Sequence, residues 1–116
     1  MGSDGSGVWQ VVTTTDSEED AQRLADGLIE QRLAACVQVD GPIRSTYWWE
    51  GGAVTEPEWR LTLKTSADRY EQMEHWLLAQ HSYDVPELLA TEVVAGHAPY
   101  VQWVHDETHA AGAASS

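Results

Sequence analysis

Cys36 and one of the five histidines, His81, are the side chains of this sequence that we consider first as metal ligands. Cys36 is the single cysteine, and His81 begins a turn that closes with Pro86 and Glu87. Copper favours thiolate and imidazole ligands, so Cys36 and His81 are candidate ligands for Cu(II) or another divalent cation. The alternatives are that Cys36 is a small buried hydrophobic residue and that His81 is a loop residue hydrogen-bonded to its neighbours. No obligatory cofactor is expected.

The other chemical patterns do not predict an enzyme. His105 and His109 are four residues apart and would share one face of a helix, but the segment HDETH lacks the glutamate that a zincin needs directly after its first histidine. The sequence contains no GxSxG elbow, no phosphate-binding loop and no CxxC pair. A hydrolase that uses Cys36 or His81 would rest on residue type alone. We therefore predict a protein without catalytic activity.

The charge of the chain restricts its partners. Its 19 acidic and 6 basic residues give a formal charge of −13 over 116 residues. Such a surface repels phosphate backbones and anionic lipids and attracts cations, so neither nucleic acid nor membrane is an expected partner. A single cysteine excludes an internal disulfide and fits a reducing, cytoplasmic location.

The order of the predicted elements indicates one small domain. Residues 8–15 read as a buried strand, and Asp16 with Glu19 resembles a capping box at the start of a helix. The apolar residues that follow recur at helical spacing and form one stripe, and Gly27, which falls off it, weakens the helix slightly. The stripe comprises Ala21, Leu24, Ala25, Leu28, Ile29 and Leu33.

The second half of the chain adds a hairpin, a helix, a strand and a last helix. Residues 35–49 read as a long strand that Gly41 and Pro42 interrupt with a bulge or at a sheet edge. A third strand alternates from residue 59 to residue 64, a second helix opens at residue 66 or 68, and a fourth strand covers residues 88–95. Gly96 breaks that strand, and Pro99 fits the first turn of a final helix.

This β-α-β-β-α-β order predicts an α+β, ferredoxin-like fold: an antiparallel sheet with two helices on one face and an extra C-terminal helix. The domain is expected to cover residues 8–108. Residues 1–7 read as a flexible leader or a cloning remnant, and residues 109–116 as a disordered tail of small residues.

Three consecutive rings on the hairpin predict an oligomer. Tyr47, Trp48 and Trp49 follow one another, and neighbouring residues of a strand point to opposite faces. The helices cover only one face, so at least one ring is left for another surface to bury. Packing such a ring is worth several kcal/mol at roughly 25 cal/mol per Å². The alternative is a monomer that covers the rings with its own loops.

Five blocks of sequence carry a resemblance to a known family. They are RLAACV at residues 32–37, YWWEG at 47–51, LKT at 63–65, HSYDVPELL at 81–89 and YVQW at 100–103. In this order and spacing the chain resembles the CutA family of divalent-cation tolerance proteins. The resemblance covers residues 8–108. It implies a ferredoxin-like subunit, a tight homotrimer built through the long strands, a role in tolerance of divalent metals, copper above all, and no established enzymatic reaction.

The same resemblance implies a metal site at the turn of His81. In some CutA proteins this site uses a cysteine near the end of the first strand and two adjacent histidines. Thr13 and Gln80 stand at two of those positions here, so only His81 is retained. Ser82 follows it where the family usually has proline.

The resemblance also implies a cleft between subunits, lined by Trp49, Glu58, Lys64, Tyr83 and Glu87. Aromatic walls, one cation and two carboxylates form a plausible ligand pocket, and Lys64 would pair with Glu58 or Glu87. The alternative is a cluster of salt bridges that fixes the interface. Two functions follow: a trimeric metal-binding tolerance protein, and a regulatory trimer that senses a small ligand in this cleft.

Overall fold

Four strands and three helices follow one another in the order that the sequence predicts. A computed structural model describes residues 5–109. The elements are β1 (Val8–Thr15), α1 (Glu18–Glu30), β2 (Cys36–Trp49), β3 (Gly52–Ser66), α2 (Tyr70–Gln80), β4 (Leu88–Val93) and α3 (Ala98–Thr108), with a 3-10 turn (Ala67–Arg69) before α2. The strands form one antiparallel sheet in the order β2-β3-β1-β4. The α+β, ferredoxin-like prediction is confirmed.

The core lies between one face of the sheet and helices α1 and α2. Val11 of β1 stands opposite Leu63 of β3, and Thr13 stands opposite Leu61, so these side chains share the helix-covered face. The helices contribute fully buried residues to it, namely Ala21, Leu24 and Leu28 from α1 and Met73 and Leu77 from α2. The stripe predicted for α1 therefore faces the sheet as far as Leu28, whereas Ile29 is 44% exposed and the buried Leu33 lies beyond the end of the helix.

The N-cap of helix α1 lies one residue after the predicted cap, Asp16. The Ser17 hydroxyl accepts the backbone N–H of Asp20 at 3.1 Å, so Ser17 is the N-cap. The capping box predicted from Asp16 and Glu19 is therefore wrong. A serine hydroxyl at the N-cap satisfies one of the free N–H groups of the first turn in the same way.

Gly27 has a packing role that the apolar stripe does not reveal. A Cβ at this position would stand 2.4 Å from Cη2 of Trp76, a ring that packs against the core. The absence of a side chain at Gly27 thus lets the Trp76 ring of α2 lie against α1. The close packing between α1 and α2 offsets the lower helix stability that a glycine at this position brings.

The β2–β3 hairpin extends well beyond the rest of the sheet. The register shifts between Asp40 and Ile43, which confirms the bulge predicted at Gly41 and Pro42. The two strands meet at a two-residue turn, where Glu50 and Gly51 have φ angles of 50° and 85°. Positive φ at both positions is the signature of the tight hairpin turns that match strand twist.

The third strand starts at Gly52, seven residues before the predicted start at residue 59, because the tight turn lets β3 pair with β2 from its first residue. Residues 43–49 and 52–58 pair only with each other, so they form a two-stranded ribbon. At the other edge of the sheet, β4 ends at Val93, two residues before the predicted end.

Helix α3 covers part of the sheet face that α1 and α2 leave open. Val8 and Ser66 lie on this open face, and the Ser66 hydroxyl is 3.0 Å from that of Thr108. Both Ser66 and Thr108 are fully buried, as is Val104. Among residues 5–109, no helix has the length and apolar content needed to cross a membrane.

Both predicted flanking segments reach into the described residues. The Ser6 hydroxyl donates to the Val93 carbonyl at 2.6 Å, and the Ala67 N–H donates to the Gly7 carbonyl at 2.8 Å. At the other end, His109 follows α3 and its Nε2 lies 3.0 Å from Asp68 Oδ2. Residues 1–4 and 110–116 of the predicted leader and tail lie outside the described residues.

Candidate functional site

His81 is held in place by both of its ring nitrogens. Its Nδ1 accepts the backbone N–H of Tyr83 at 3.1 Å, and its Nε2 lies 3.2 Å from Oγ1 of the fully buried Thr13. Because Nδ1 is an acceptor, the proton of the neutral ring is assigned to Nε2, which donates to Thr13. Burial lowers the pKa of His81 and supports this neutral form.

Tyr83 joins the turn to the hairpin. Its hydroxyl donates to Oε2 of Glu58 at 2.8 Å, and its ring centroid lies 5.1 Å from that of His81. Burial, followed by the hydrogen bond and the charge of Glu58, raises the pKa of Tyr83, so its hydroxyl remains protonated and can donate. Thr13, His81, Tyr83 and Glu58 thus form one chain of contacts from the core strand β1 to the base of the ribbon.

Within one chain Lys64 has another partner. Its Nζ donates to Oε1 of Gln38 at 2.5 Å, and the pairing with Glu58 or Glu87 expected in the cleft between subunits stays a prediction. Lys64 and Glu58 are on the same strand, six residues apart, or about 20 Å in extended backbone. The neighbouring strand β2 brings Gln38 alongside instead.

The five predicted cleft residues are only partly brought together. Trp49 stands at the hairpin tip with 61% of its surface exposed, and it pairs with Gly52, far along β3 from Lys64. Glu87 precedes β4. Glu58 and Tyr83 are joined by a hydrogen bond, and no other hydrogen bond or ion pair found among residues 5–109 joins two of the five. A site that uses all five residues therefore requires more than one copy of the chain.

Cys36 and His81 lie on different faces of the sheet. Cys36 stands opposite Lys64, on the open face, whereas His81 binds the side chain of Thr13, which faces the helices. Among the residues that the structure describes, no three His, Cys, Asp or Glu side chains come close enough to hold a metal ion. One chain by itself therefore does not fit a copper site made of these two residues.

His105 and His109 both have hydrogen-bond partners within the chain. Their rings stack with centroids 6.4 Å apart, as helical spacing predicts. Nε2 of His105 lies 2.9 Å from the Ser6 carbonyl oxygen. Nδ1 of His109 lies 2.7 Å from the His105 carbonyl oxygen, and its Nε2 binds Asp68. Hydrogen-bond acceptors therefore face both nitrogens of His109 and favour its protonated form. They raise the pKa of His109, and the His105 carbonyl is the main cause.

A concavity on the open face of the sheet was not predicted. It has a volume of about 590 Å³, and we call it the open-face concavity. Its floor and rim include Val12, Thr14 and Thr62 together with Arg44, Arg60 and Glu87. Arg60 donates to both carboxylate oxygens of Asp40, at 3.4 and 2.9 Å. The one hint in the sequence is that three of only six basic residues, Arg44, Arg60 and Lys64, lie on the same hairpin.

The comparisons with known proteins agree with the resemblance found in the sequence. The family model described as CutA1 divalent ion tolerance protein matches residues 9–107. The chain belongs to this family. It is 36% identical over 98 residues to the divalent-cation tolerance protein CutA of Thermus thermophilus, covering 84% of this chain and 95% of that protein.

A second CutA relative is longer than this chain. The chloroplastic protein CutA 1 of rice, Oryza sativa, is 37% identical over 98 residues, which cover 84% of this chain and 55% of the rice protein. The chain thus spans about half the length of that relative. The structure of the periplasmic CutA of Archaeoglobus fulgidus superposes with a TM-score of 0.84 at 30% identity, covering 88% of this chain and 99% of that one.

Proposed function

We propose that this CutA protein serves divalent-cation tolerance as a homotrimer that binds a divalent metal ion, Cu(II) above all, and catalyses no reaction. Membership of the divalent-ion-tolerance family carries the proposal. A formal charge of −13 concentrates cations near the surface, and Cys36 and His81 supply ligand types that copper favours.

The exposed rings of the hairpin support the homotrimer. Trp48 is 79% exposed and Trp49 is 61% exposed, at the end of a ribbon that has no third strand. Burying these rings against a second copy would recover several kcal/mol at roughly 25 cal/mol per Å².

A copper site made of Cys36 and His81 then requires different subunits. The two residues point to opposite faces of one sheet, so each would need ligands from another copy. Nε2 of His81 would also have to leave Thr13, and its proton would have to move to Nδ1, before Nε2 could bind a metal. We therefore expect metal binding to depend on assembly.

Native mass spectrometry with a slight excess of Cu(II) tests both the homotrimer and its copper binding. A trimer with a whole number of coppers, lost in His81→Ala or Cys36→Ala and kept in the exposed control His75→Ala, is the expected result. Ions attracted only by surface charge would survive all three substitutions and fade with salt. A trimer without specific copper would refute the metal proposal, and a monomer would refute the assembly.

The hydrogen bond between Tyr83 and Glu58 favours a second candidate, a trimer that senses a small ligand in the cleft between subunits. That bond fixes an aromatic ring beside a carboxylate at the base of the hairpin, close to where a second copy would dock. In this reading Trp49, Lys64 and Glu87 complete the site. Small anionic or aromatic metabolites should then raise the Tm, and Lys64→Ala should abolish the shift while Arg23→Ala leaves it. A full metabolite panel without any shift would count against this candidate.

A cytoplasmic location is part of the same proposal and rests on the single cysteine. The family name does not determine it, since one relative is called chloroplastic and another periplasmic. Fractionation of cells that express the untagged protein would test it, and recovery outside the cytoplasm would contradict it.

A further inference from the structure

We propose that the C-terminal end of α3 is a pH-sensitive latch. The charged form of His109 holds α3 against the 3-10 turn before α2, and loss of the His109 proton loosens α3 together with the N-terminal segment, residues 5–7. We call the ion pairs of His109 with Asp68 and of Arg32 with Glu107 the α3 latch. The inference depends neither on copper nor on the cleft between subunits.

The α3 latch lies far from the ribbon that carries the exposed rings. Asp68 comes just after Ser66, which ends β3, whereas the tight turn of the hairpin comes just before Gly52, which begins it. The 15 residues of β3 span about 45 Å of extended backbone. All contacts of the α3 latch are made within one copy of the chain, so packing of a second copy on the ribbon does not replace them.

Both nitrogens of the His109 ring face hydrogen-bond acceptors. Nδ1 lies 2.7 Å from the His105 carbonyl oxygen, and Nε2 lies 3.1 and 3.0 Å from the two carboxylate oxygens of Asp68. A neutral imidazole has one N–H, so it can donate to only one of these acceptors and turns a lone pair toward the other. The imidazolium donates to both. The closed contacts of α3 are therefore complete only when His109 is charged.

The charged and polar groups around His109 favour its protonated form overall. The His105 carbonyl raises the pKa of His109 most, and Asp68 adds to this effect, whereas burial and the charge of Arg69 oppose it. The Arg69 guanidinium is directed elsewhere, because it donates to Gln72 and to two carbonyl groups at the end of α1. His109 is also the C-cap of α3, where the helix dipole favours a positive charge.

Few apolar side chains attach α3 to the domain. Val104 and Thr108 are the fully buried residues of this helix, and only Val104 is apolar. Arg32 donates to the backbone carbonyl of Glu107 at 3.3 Å and pairs with its carboxylate, and the Thr108 hydroxyl lies 3.0 Å from that of Ser66. An element that buries so little apolar surface opens locally more often than the core does, so a single polar contact can change how often it opens.

Helix α3 also holds the N-terminal segment. Nε2 of His105 lies 2.9 Å from the Ser6 carbonyl oxygen, and a Cβ at Gly7 would stand 3.1 Å from Cε1 of the same ring. The segment thus passes directly beside the His105 ring, which itself stacks on the ring of His109. When α3 moves away from the domain, this contact is lost in the same step.

Nitrogen-15 NMR of the imidazole rings measures the charge of His109 in the assembled protein. The pKa of His109 should lie above the ordinary value of about 6.5. It should fall in Asp68→Asn, which removes the carboxylate charge, and should not change in the control His75→Gln, an exposed position on α2. A pKa of His109 at or below the ordinary value would overturn the proposal.

Hydrogen exchange at about pH 6 and about pH 8 measures the opening, with protection factors corrected for the intrinsic pH dependence of exchange. Protection of the Ser6, Ala67 and Thr108 amides should be about two- to fivefold higher at the lower pH, the range of an exposed ion pair. The Ala67 amide reports on the N-terminal segment because it donates to the Gly7 carbonyl. The amide of Val11 in the core should show no such difference.

Substitutions separate the charge of His109 from the general stability of α3. His109→Gln should give the same amides equal protection at both pH values, whereas His75→Gln should behave as the wild type. Arg32→Gln removes the ion pair with Glu107, so it should lower protection at both pH values and keep the difference between them. Wild-type protection that does not change with pH, or a change at α3 that leaves Ser6 and Ala67 unaffected, would overturn the proposal.

Discussion

The hydrogen bond from Tyr83 to Glu58 can be removed by a substitution that deletes only the tyrosine hydroxyl. In Tyr83→Phe the ring that lies against His81 remains, but the hydroxyl that donates to Glu58 at 2.8 Å is lost. A hydrogen bond to a charged group contributes about 1.5–3 kcal/mol to stability. Tyr83 and Glu58 are both half-buried, so solvent competes for the bond and the lower end applies. We expect a loss of about 1.5 kcal/mol in the free energy of unfolding.

Urea unfolding at a fixed protein concentration measures this loss, since the stability of an oligomer depends on concentration. Tyr47→Phe is the control, because Tyr47 is exposed and has no hydrogen-bond partner found among residues 5–109. Its midpoint should not change. Glu58→Gln keeps an acceptor but removes the charge, so its effect should be smaller and should largely disappear in the Tyr83→Phe background.

Hydrogen exchange shows whether the Tyr83 hydroxyl stabilises only the turn or the whole domain. If Tyr83 fixes the turn to the hairpin, the amides of residues 81–87 should exchange faster in Tyr83→Phe, while the core of β1 remains protected. Equal stabilities of Tyr83→Phe and Tyr47→Phe would refute the reasoning, because the bond would then contribute nothing.

Three further results are expected. Gly27→Ala gains about 1 kcal/mol of helix propensity, but its Cβ would stand 2.4 Å from the Trp76 ring. Because overpacking of this kind costs about 1–3 kcal/mol, the variant should be less stable than the wild type in urea unfolding. The same substitution in a Trp76→Leu background should stabilise the protein. The pKa of His109 is raised in the folded state, so its contribution is complete below about pH 6.5 and is lost as the pH rises through the folded value. In His109→Gln the free energy of unfolding should fall less steeply with pH above about pH 6.5 than in the wild type. The difference should be less than about 1 kcal/mol, because the ion pair with Asp68 is exposed, and an unchanged pH profile would contradict this. Repulsion within a chain of charge −13 should make the Tm higher at moderate than at low ionic strength, and a Tm independent of salt would disprove that idea.

The fold could be predicted because its periodicities are strong and local. The apolar stripe of α1 and the breakers at Gly41 and Pro42 each mark an element without reference to the rest of the chain. The start of β3 could not be predicted in this way. Residues 52–58 include Pro57 and several exposed polar residues, and they are a strand only because β2 pairs with them.

The candidate site was less predictable because its contacts depend on register. Which residue stands beside Lys64 is decided by the pairing of β2 with β3, and that pairing brings Gln38 near, not Glu58. The same register places Cys36 on the face opposite to His81. The role of Gly27 depends on a contact between two helices, which spacing within one helix cannot reveal.

The ribbon of residues 43–49 and 52–58 has a consequence for how the molecule comes apart. Two strands alone are only marginally stable in water, whereas the four-stranded part of the sheet is held by α1 and α2. The ribbon and the helix-covered sheet therefore need not melt as one cooperative unit. In the proposed homotrimer, dilution to concentrations at which the copies dissociate would release the ribbon first. The protein would then consist of a folded body and a ribbon that loses its order as the copies separate.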